Sequence, residues 1–264
     1  MISSSTGNRS VSSSSETSFP KHSDIIYGHV HMAKTGVTVL NGLLANNYER
    51  VCGHKGYSYD AFQANERFRK SSSQEPTGRD RVADSIMNEI GYENCDYISN
   101  EYHYRFWIKR FSNFHNLTME LHVPCRDSID HLMSQCNHNG IQFKCRQNMS
   151  DSELQNEIKK CLLFMNRFGN RLKRVKNVNL KCYNFPQQFT GYIDYMSTRL
   201  QPRRLISEYV SRETNPPRVK DEECIWKDEK LQQRVRELLI KSKPYYRFCD
   251  ECIGSDNDIT KGLL

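Results

Sequence analysis

An α/β fold, a central parallel sheet flanked by helices, is the architecture this sequence predicts, on three observations. Ile25-Ile26-Tyr27-Gly28-His29-Val30-His31-Met32 reads as a short apolar strand, and after a tight turn Val39, Leu40, Leu43 and Leu44 recur at helical spacing. Leu117 to Val123 alternates as a second strand, and Ile129, Leu132, Met133 and Cys136 follow it with a helical period. The 264 residues are enough for one large α/β domain with a proper core. Residues 1–23 are rich in serine, lack an apolar period and read as a disordered lead-in, so the domain runs over 24–264.

The first turn holds Lys34, Thr35, Gly36 and Thr38 between strand and helix. A strand, a small polar turn with a lysine, then a helix is a way to wrap a phosphate: the first helical N–H groups are free and the dipole favours an anion. Glycine lets the backbone approach, and lysine adds a full charge. Gly28-x4-Ala33-Lys34-Thr35 lies one residue from a Walker A loop. Residues 28–32 belong to the strand, however, and the turn falls after the lysine, at Gly36. An ordinary strand–turn–helix with a surface lysine stays open beside the phosphate site.

Residues 45–79 read mainly as loop, and Asp80 to Ile90 as a helix with Ala83, Ile86, Met87 and Ile90 on one face and Gly91 ending it. Cys95 to Asn100 reads as a strand running into Glu101-Tyr102-His103-Tyr104-Arg105-Phe106-Trp107. A carboxylate and an imidazole two residues apart after a strand can supply a general base; the alternative is a surface loop. The strand at 117–123 is closed by Pro124, with Arg126 at its end and Ser134 two turns into the next helix. A strand-end arginine can reach an anion held beside a helical serine, and an Arg126–Asp130 surface pair is the other reading.

Ser150-x-x-Glu153 is a capping box, followed by an apolar face of Leu154, Ile158, Cys161, Leu162 and Met165. Lys181 to Phe185 reads as a strand or a rim, and Leu205 to Val210 as a strand before a basic loop with Arg212, Asn215 and Arg218. Leu231, Val235, Leu238 and Leu239 form a core stripe that stops before Pro244.

The net charge of +7 suits an anionic nucleotide or glycan and does not require one. Ten cysteines permit several disulfides in an oxidising compartment, and Cys249-x-x-Cys252 lacks the second close pair of a zinc site. Three sequons, at Asn8, Asn116 and Asn148, lean the same way. No apolar run approaches membrane-spanning length and no signal peptide is visible, so membrane contact is expected only through an anchor missing from this chain.

His31-Met32-Ala33-Lys34-Thr35-Gly36-Val37-Thr38-Val39-Leu40, with Arg126-Asp127-Ser128 and Ser134 eight residues after the arginine, resembles the PAPS-dependent sulfotransferases, most closely the Golgi carbohydrate type that includes the galactose 3-O-sulfotransferases. The direct resemblance covers roughly residues 25–50 and 95–140. Ala33 stands where the family has proline, Val37 where it has a second glycine, and Ser128 where it has proline after Arg-Asp. A β-branched Val37 disfavours positive φ, so the turn is expected to be helical there, its N–H free to donate.

The resemblance implies a P-loop-like sulfotransferase fold and transfer of a sulfuryl group from 3′-phosphoadenosine 5′-phosphosulfate (PAPS) to a hydroxyl of a carbohydrate or glycolipid. It implies that Lys34, Thr35, Gly36, Val37, Thr38 and Val39 bind the 5′-phosphosulfate, that Arg126 and Ser134 hold the 3′-phosphate, and that Lys34 contacts the leaving oxygen. Glu101 or His103 takes the acceptor proton, with His54 next in line. No metal and no nucleic-acid partner are expected. The family places the protein in the Golgi lumen, and a cytoplasmic location is the alternative. Two rivals remain: a P-loop nucleotide kinase or NTPase, whose expected Walker B aspartate is replaced at the strand end by Pro124-Cys125-Arg126, and a sulfotransferase fold that binds glycan or nucleotide without turnover.

Overall fold

A computed structural model describes residues 25–30, 32–53, 95–100, 118–146, 148–162, 178–202 and 224–261. The expectations for residues 1–23, for the Asp80–Ile90 helix, for the Leu205–Val210 strand and its basic loop, and for His54, Glu101 and His103 lie outside these residues.

Five strands form one all-parallel sheet: β1 (Ile25–Val30), β2 (Val51–Gly53), β3 (Tyr97–Asn100), β4 (Thr118–Arg126) and β5 (Val178–Phe185), in the order β2-β3-β1-β4-β5. β1 is central, paired with β3 through Tyr27↔Tyr97 to Val30↔Asn100 and with β4 through Ile25↔Thr118 to His29↔His122. Because β2 and β3 lie to one side of β1 and β4 and β5 to the other, the strand order reverses there. A crevice opens at such a point outside the carboxyl ends of the strands.

Helices α1 (Val37–Asn47) and α4 (Phe189–Ser197) cover one face. Helices α2 (Ser128–His138), α3 (Asp151–Cys161), α5 (Glu229–Ser242) and α6 (Pro244–Cys252) cover the other. Coverage on both sides is what a parallel sheet requires. Alternation along the strands sorts the side chains: Ile26, Met119, Leu121, Val123 and Cys182 meet the four-helix layer, while Tyr27, Tyr97 and Tyr183 meet α1 and α4.

β1 stops at Val30, two residues short of the expected Met32. In α1 the buried stripe is Val37, Leu40, Asn41 and Leu44, and the expected Leu43 is the exposed one, at 37 %. The helix begins at Val37 and rotates the face accordingly. β4 does not close at Pro124 but continues to Arg126. Its pairing with β1 ends at His122, so the missing N–H of Pro124 leaves no gap on that side. The Pro124 carbonyl instead accepts the Tyr245 hydroxyl at 2.6 Å. Lys181–Phe185 is part of a full strand, and residues 257–259 run beside it through Cys182 N–H to Asn257 O (2.9 Å) and Ile259 N–H to Cys182 O (2.8 Å), which covers the outer edge.

The capping box at Ser150 and Glu153 starts α3 as expected, and the Leu231, Val235, Leu238, Leu239 stripe is buried in α5. The sequence reading ended at Pro244, yet proline occupies the first turn of α6, the one helical place where its missing N–H costs nothing.

Four disulfides lace the four-helix layer: Cys125–Cys249, Cys136–Cys161, Cys145–Cys224 and Cys182–Cys252. Cys95 is also disulfide-bonded, and no described cysteine is free. The Cys249-x-x-Cys252 pair is thus split between two strands, β4 and β5, pinning α6 to both.

Candidate functional site

The turn at 32–36 follows β1 at the carboxyl edge of the sheet, where β4 also ends, at Arg126. Two residues in it have left-handed backbone, Lys34 (φ 67°) and Gly36 (φ 69°). Val37 is an ordinary first helical residue, without positive φ, as expected for a β-branched side chain. Gly36 is fixed twice over: by its φ, and because a Cβ there would lie 2.4 Å from Cζ of Phe185, the last residue of β5. Gly36 caps α1 without a side-chain hydrogen bond, and the N–H groups of Val37 and Thr38 have no acceptor inside the helix. The Val39 N–H turns back to the Gly36 carbonyl at 3.1 Å. The Thr38 side chain lies outside the described residues.

Thr35 is buried, and its hydroxyl donates to the Met32 carbonyl at 2.7 Å. It therefore braces the turn, and its proton is committed.

Arg126 joins the two motifs directly: Nη1 donates to the Lys34 carbonyl at 2.7 Å. Its Nε is buried with no hydrogen-bond partner among the described residues. Neither Lys34 nor Arg126 forms an ion pair with a described carboxylate. Partial burial, and then the Arg126 guanidinium, hold the Lys34 ammonium below its ordinary range. Two cations from positions 92 residues apart thus converge without a counter-charge among the described residues, beside the free N–H groups of a helix N-terminus. Such an arrangement attracts an anion.

The next residue does something different. Asp127 caps α2 by accepting from the N–H groups of Ile129 (3.0 Å) and Asp130 (2.9 Å), and its other oxygen pairs with Arg236 on α5. In Arg126-Asp127, then, one charge is turned to the site and the other holds the helix. Ser134 lies where the eight-residue spacing put it, half-buried in α2 and with its hydroxyl unpartnered among the described residues.

The sequence reading missed the residues that hold the turn to α2. His131 Nε2–H and Gln135 Nε2–H both donate to the Ala33 carbonyl, at 2.8 and 2.9 Å. The signal was there as i,i+4 spacing just after a strand-end arginine, flanking Ser134. Nδ1 of His131 accepts from the Tyr246 hydroxyl at 3.1 Å, so the ring is neutral in its Nε2–H form. Burial lowers its pKa to about 4, the Ala33 hydrogen bond opposes this, and Arg126 adds to it. Tyr245 and Tyr246 open α6 and buttress Pro124 and His131 from behind.

Glu101 and His103, the two candidates for the base, lie outside the described residues; β3 before them ends at Asn100, in register with Val30 at the carboxyl edge. A cavity of about 670 Å³ lies elsewhere, between the 144–149 loop and α3, and none of the described site candidates lines it. The edge site is accordingly the better candidate, because it is there that the two motifs meet. No family model matches this chain, and no curated protein matches it.

Proposed function

We propose that this protein is a PAPS-dependent carbohydrate sulfotransferase of P-loop-like fold that works in the lumen of the secretory pathway, in the Golgi. One observation carries the reading: the Lys34 turn and Arg126, the two halves of the motif pair, meet at the strand-order reversal as a pair of cations with no carboxylate partner among the described residues. The residues fit a bisphosphorylated nucleotide. Lys34 and the N–H groups of Val37 and Thr38 serve the 5′ side; Arg126 and Ser134 serve the 3′-phosphate. The bound PAPS supplies the sulfuryl group, and the protein's task is to position the two oxygens and stabilise charge on the leaving phosphate. Glu101 is the proposed base, with His103 second. A carbohydrate or glycolipid hydroxyl is the acceptor.

The kinase reading is weakened by Gly28, which would be the first glycine of a Walker loop. It is a buried strand residue paired with Ile98 and Leu121, not a loop residue free to curl around phosphates. The Golgi placement is supported by the disulfides, which persist in oxidising compartments. No described helix is long and apolar enough to cross a membrane.

The test is a thermal-shift titration with adenosine 3′,5′-bisphosphate against ATP. A ligand at 100 times its dissociation constant stabilises the fold by about 2.7 kcal/mol. The bisphosphate is expected to stabilise at lower concentration than ATP; the reverse order overturns the sulfotransferase reading. In the same assay Arg126→Ala weakens the bisphosphate by roughly 1.5–3 kcal/mol. Because Arg126 also holds the Lys34 carbonyl, adenosine 5′-phosphate is expected to weaken as well, by a smaller amount.

A further inference from the structure

One motif takes no part in the site: the sequon Asn148-Met149-Ser150, in the loop before α3. Asn148 is exposed, and its carboxamide makes no hydrogen bond among the described residues. Its backbone is left-handed (φ 65°), a conformation asparagine tolerates better than most residues, so the side chain stands on a turn. Met149 beside it is buried and anchors the loop. Ser150 Oγ accepts from the Glu153 N–H at 3.3 Å and donates to the Glu153 carboxylate at 2.9 Å. The flanking loop is itself fixed by disulfides: Cys145–Cys224 leaves from just before the sequon, and Cys136–Cys161 spans it.

We infer that Asn148 carries an N-linked glycan. Exposure, a turn, a complete sequon and a fold laced by disulfides meet at this residue, and an N-glycan is added in the compartment where such disulfides form. The step joins Asn148 Nδ2 to C1 of the first sugar of a lipid-pyrophosphate-linked oligosaccharide. The C1–O bond to the pyrophosphate breaks, the lipid pyrophosphate leaves, and one amide proton passes to a base of the transferring enzyme. In the finished fold the Ser150 hydroxyl is engaged by Glu153, so attachment precedes the closing of the α3 cap. The inference rests on the secretory-compartment reading and not on the sulfotransferase reading.

The residue types also have a local use, the left-handed turn for Asn148 and the helix cap for Ser150, and the test separates that use from the glycan. The full chain is secreted from a eukaryotic cell behind a cleavable leader, and its peptides are mapped before and after an amidase that releases N-glycans and leaves aspartate. The Asn148 peptide is expected to carry glycan in the wild type and in Ser150→Thr. It is expected to lose it in Asn148→Gly, which keeps the turn, and in Ser150→Asp, which keeps the cap, with the melting temperature of both close to wild type. An unmodified Asn148 in wild-type protein overturns the inference. Thiol titration of the same sample then shows which premise failed: full protection of the cysteines leaves the compartment reading standing, and free thiols remove it too. A glycan on this peptide that survives in Asn148→Gly also overturns the inference, because the modification then sits on another residue.

Discussion

The two faces of the sheet are held by different chemistry. Under α2, α3, α5 and α6 the core is largely aliphatic and cross-linked by the four disulfides. Under α1 and α4 the described part carries none of those four bonds but a buried network of tyrosine, histidine and amide groups. Tyr183 stacks on Tyr192 with ring centroids 4.0 Å apart, and His29 Nε2 meets the Tyr183 hydroxyl at 3.0 Å. His122 accepts from the Tyr192 hydroxyl at Nδ1 (2.7 Å) and donates from Nε2 to Glu120 (2.9 Å), which also accepts from Tyr195. Asn41 on α1 donates to Ser99 on β3 at 2.8 Å. Burial tends to raise the Glu120 carboxyl, but the hydrogen bonds from His122 and Tyr195 hold it below its ordinary value. The site draws on both faces: Cys125 next to Arg126 is locked to α6, while Gly36 is closed over by Phe185 from the tyrosine side. A cross-link tolerates loss of neighbours, whereas a hydrogen-bond network must be complete to be stable.

The largest effect is expected from the cross-linked face. Cys125→Ala/Cys249→Ala opens a loop of 124 residues, which by chain entropy costs about 4–5 kcal/mol. Equilibrium denaturation measures it. The pair change is also expected to weaken bisphosphate binding, since the strand end bearing Arg126 loses its tie; unchanged affinity would mean that Tyr245 alone positions the strand.

Gly36→Ala comes next, at about 2–4 kcal/mol, from left-handed strain plus the clash with Phe185. Adding Phe185→Ala should recover part of that loss, a coupling that a double-mutant cycle reads directly. Strict additivity of the two changes would show that the ring does not press on Gly36.

The third test is pH. His131 is depressed to about 4 in the fold, below the ordinary histidine value near 6.5. The unfolded chain therefore binds the proton more readily, so stability is fully present above about pH 6.5 and drains away as the pH falls towards 4, by at most about 3 kcal/mol. Denaturant unfolding at pH 7 and pH 4.5 is expected to show the loss, and His131→Gln to reduce it. His122 on the other face is lowered too, mainly by burial against the opposing Glu120 hydrogen bond, so part of the slope remains in that variant. A slope unchanged in His131→Gln would assign all of it to the tyrosine face.

The smallest expected changes come from deleting single hydroxyls, and Tyr192→Phe is the larger of two. It removes the hydroxyl that satisfies His122 Nδ1 and leaves a buried acceptor unpaired, at about 1–3 kcal/mol. Tyr245→Phe, on the cross-linked face, leaves the Pro124 carbonyl and the Arg126 N–H short of a partner, but Cys125–Cys249 still holds that strand end, so the expected cost is about 1 kcal/mol. Equal or inverted costs in thermal melts would erase the distinction between the faces.

The elements that local chemistry dictates were legible from residues alone. The Ser150–Glu153 box, the α5 stripe and the strand–turn–helix at β1 are each settled within a few turns of chain, by capping, period and glycine. The spacing of Arg126 and Ser134 on a strand end and a helix was legible for the same reason. Where a residue's role depends on a partner far along the chain, sequence fell short. The Leu43 and Leu44 faces of α1 were not separated, because the helix rotation depends on its start at Val37 against β2 and the tyrosines. Pro124 was read as a stop because its tolerance depends on β1 having ended beside it. Thr35 was read as an anion donor, but the tertiary turn commits its proton to Met32. Cysteine number suggested disulfides, while which thiols pair depended on the approach of β4, β5 and α6. So the sequence by itself determined the parallel α/β class, the strand–turn–helix around Lys34 and the Arg126–Ser134 spacing. Only the tertiary structure decided that Lys34 and Arg126 share one edge, with His131 and Gln135 on the Ala33 carbonyl, because strand order and side-chain reach are properties of the packed chain and not of any short stretch.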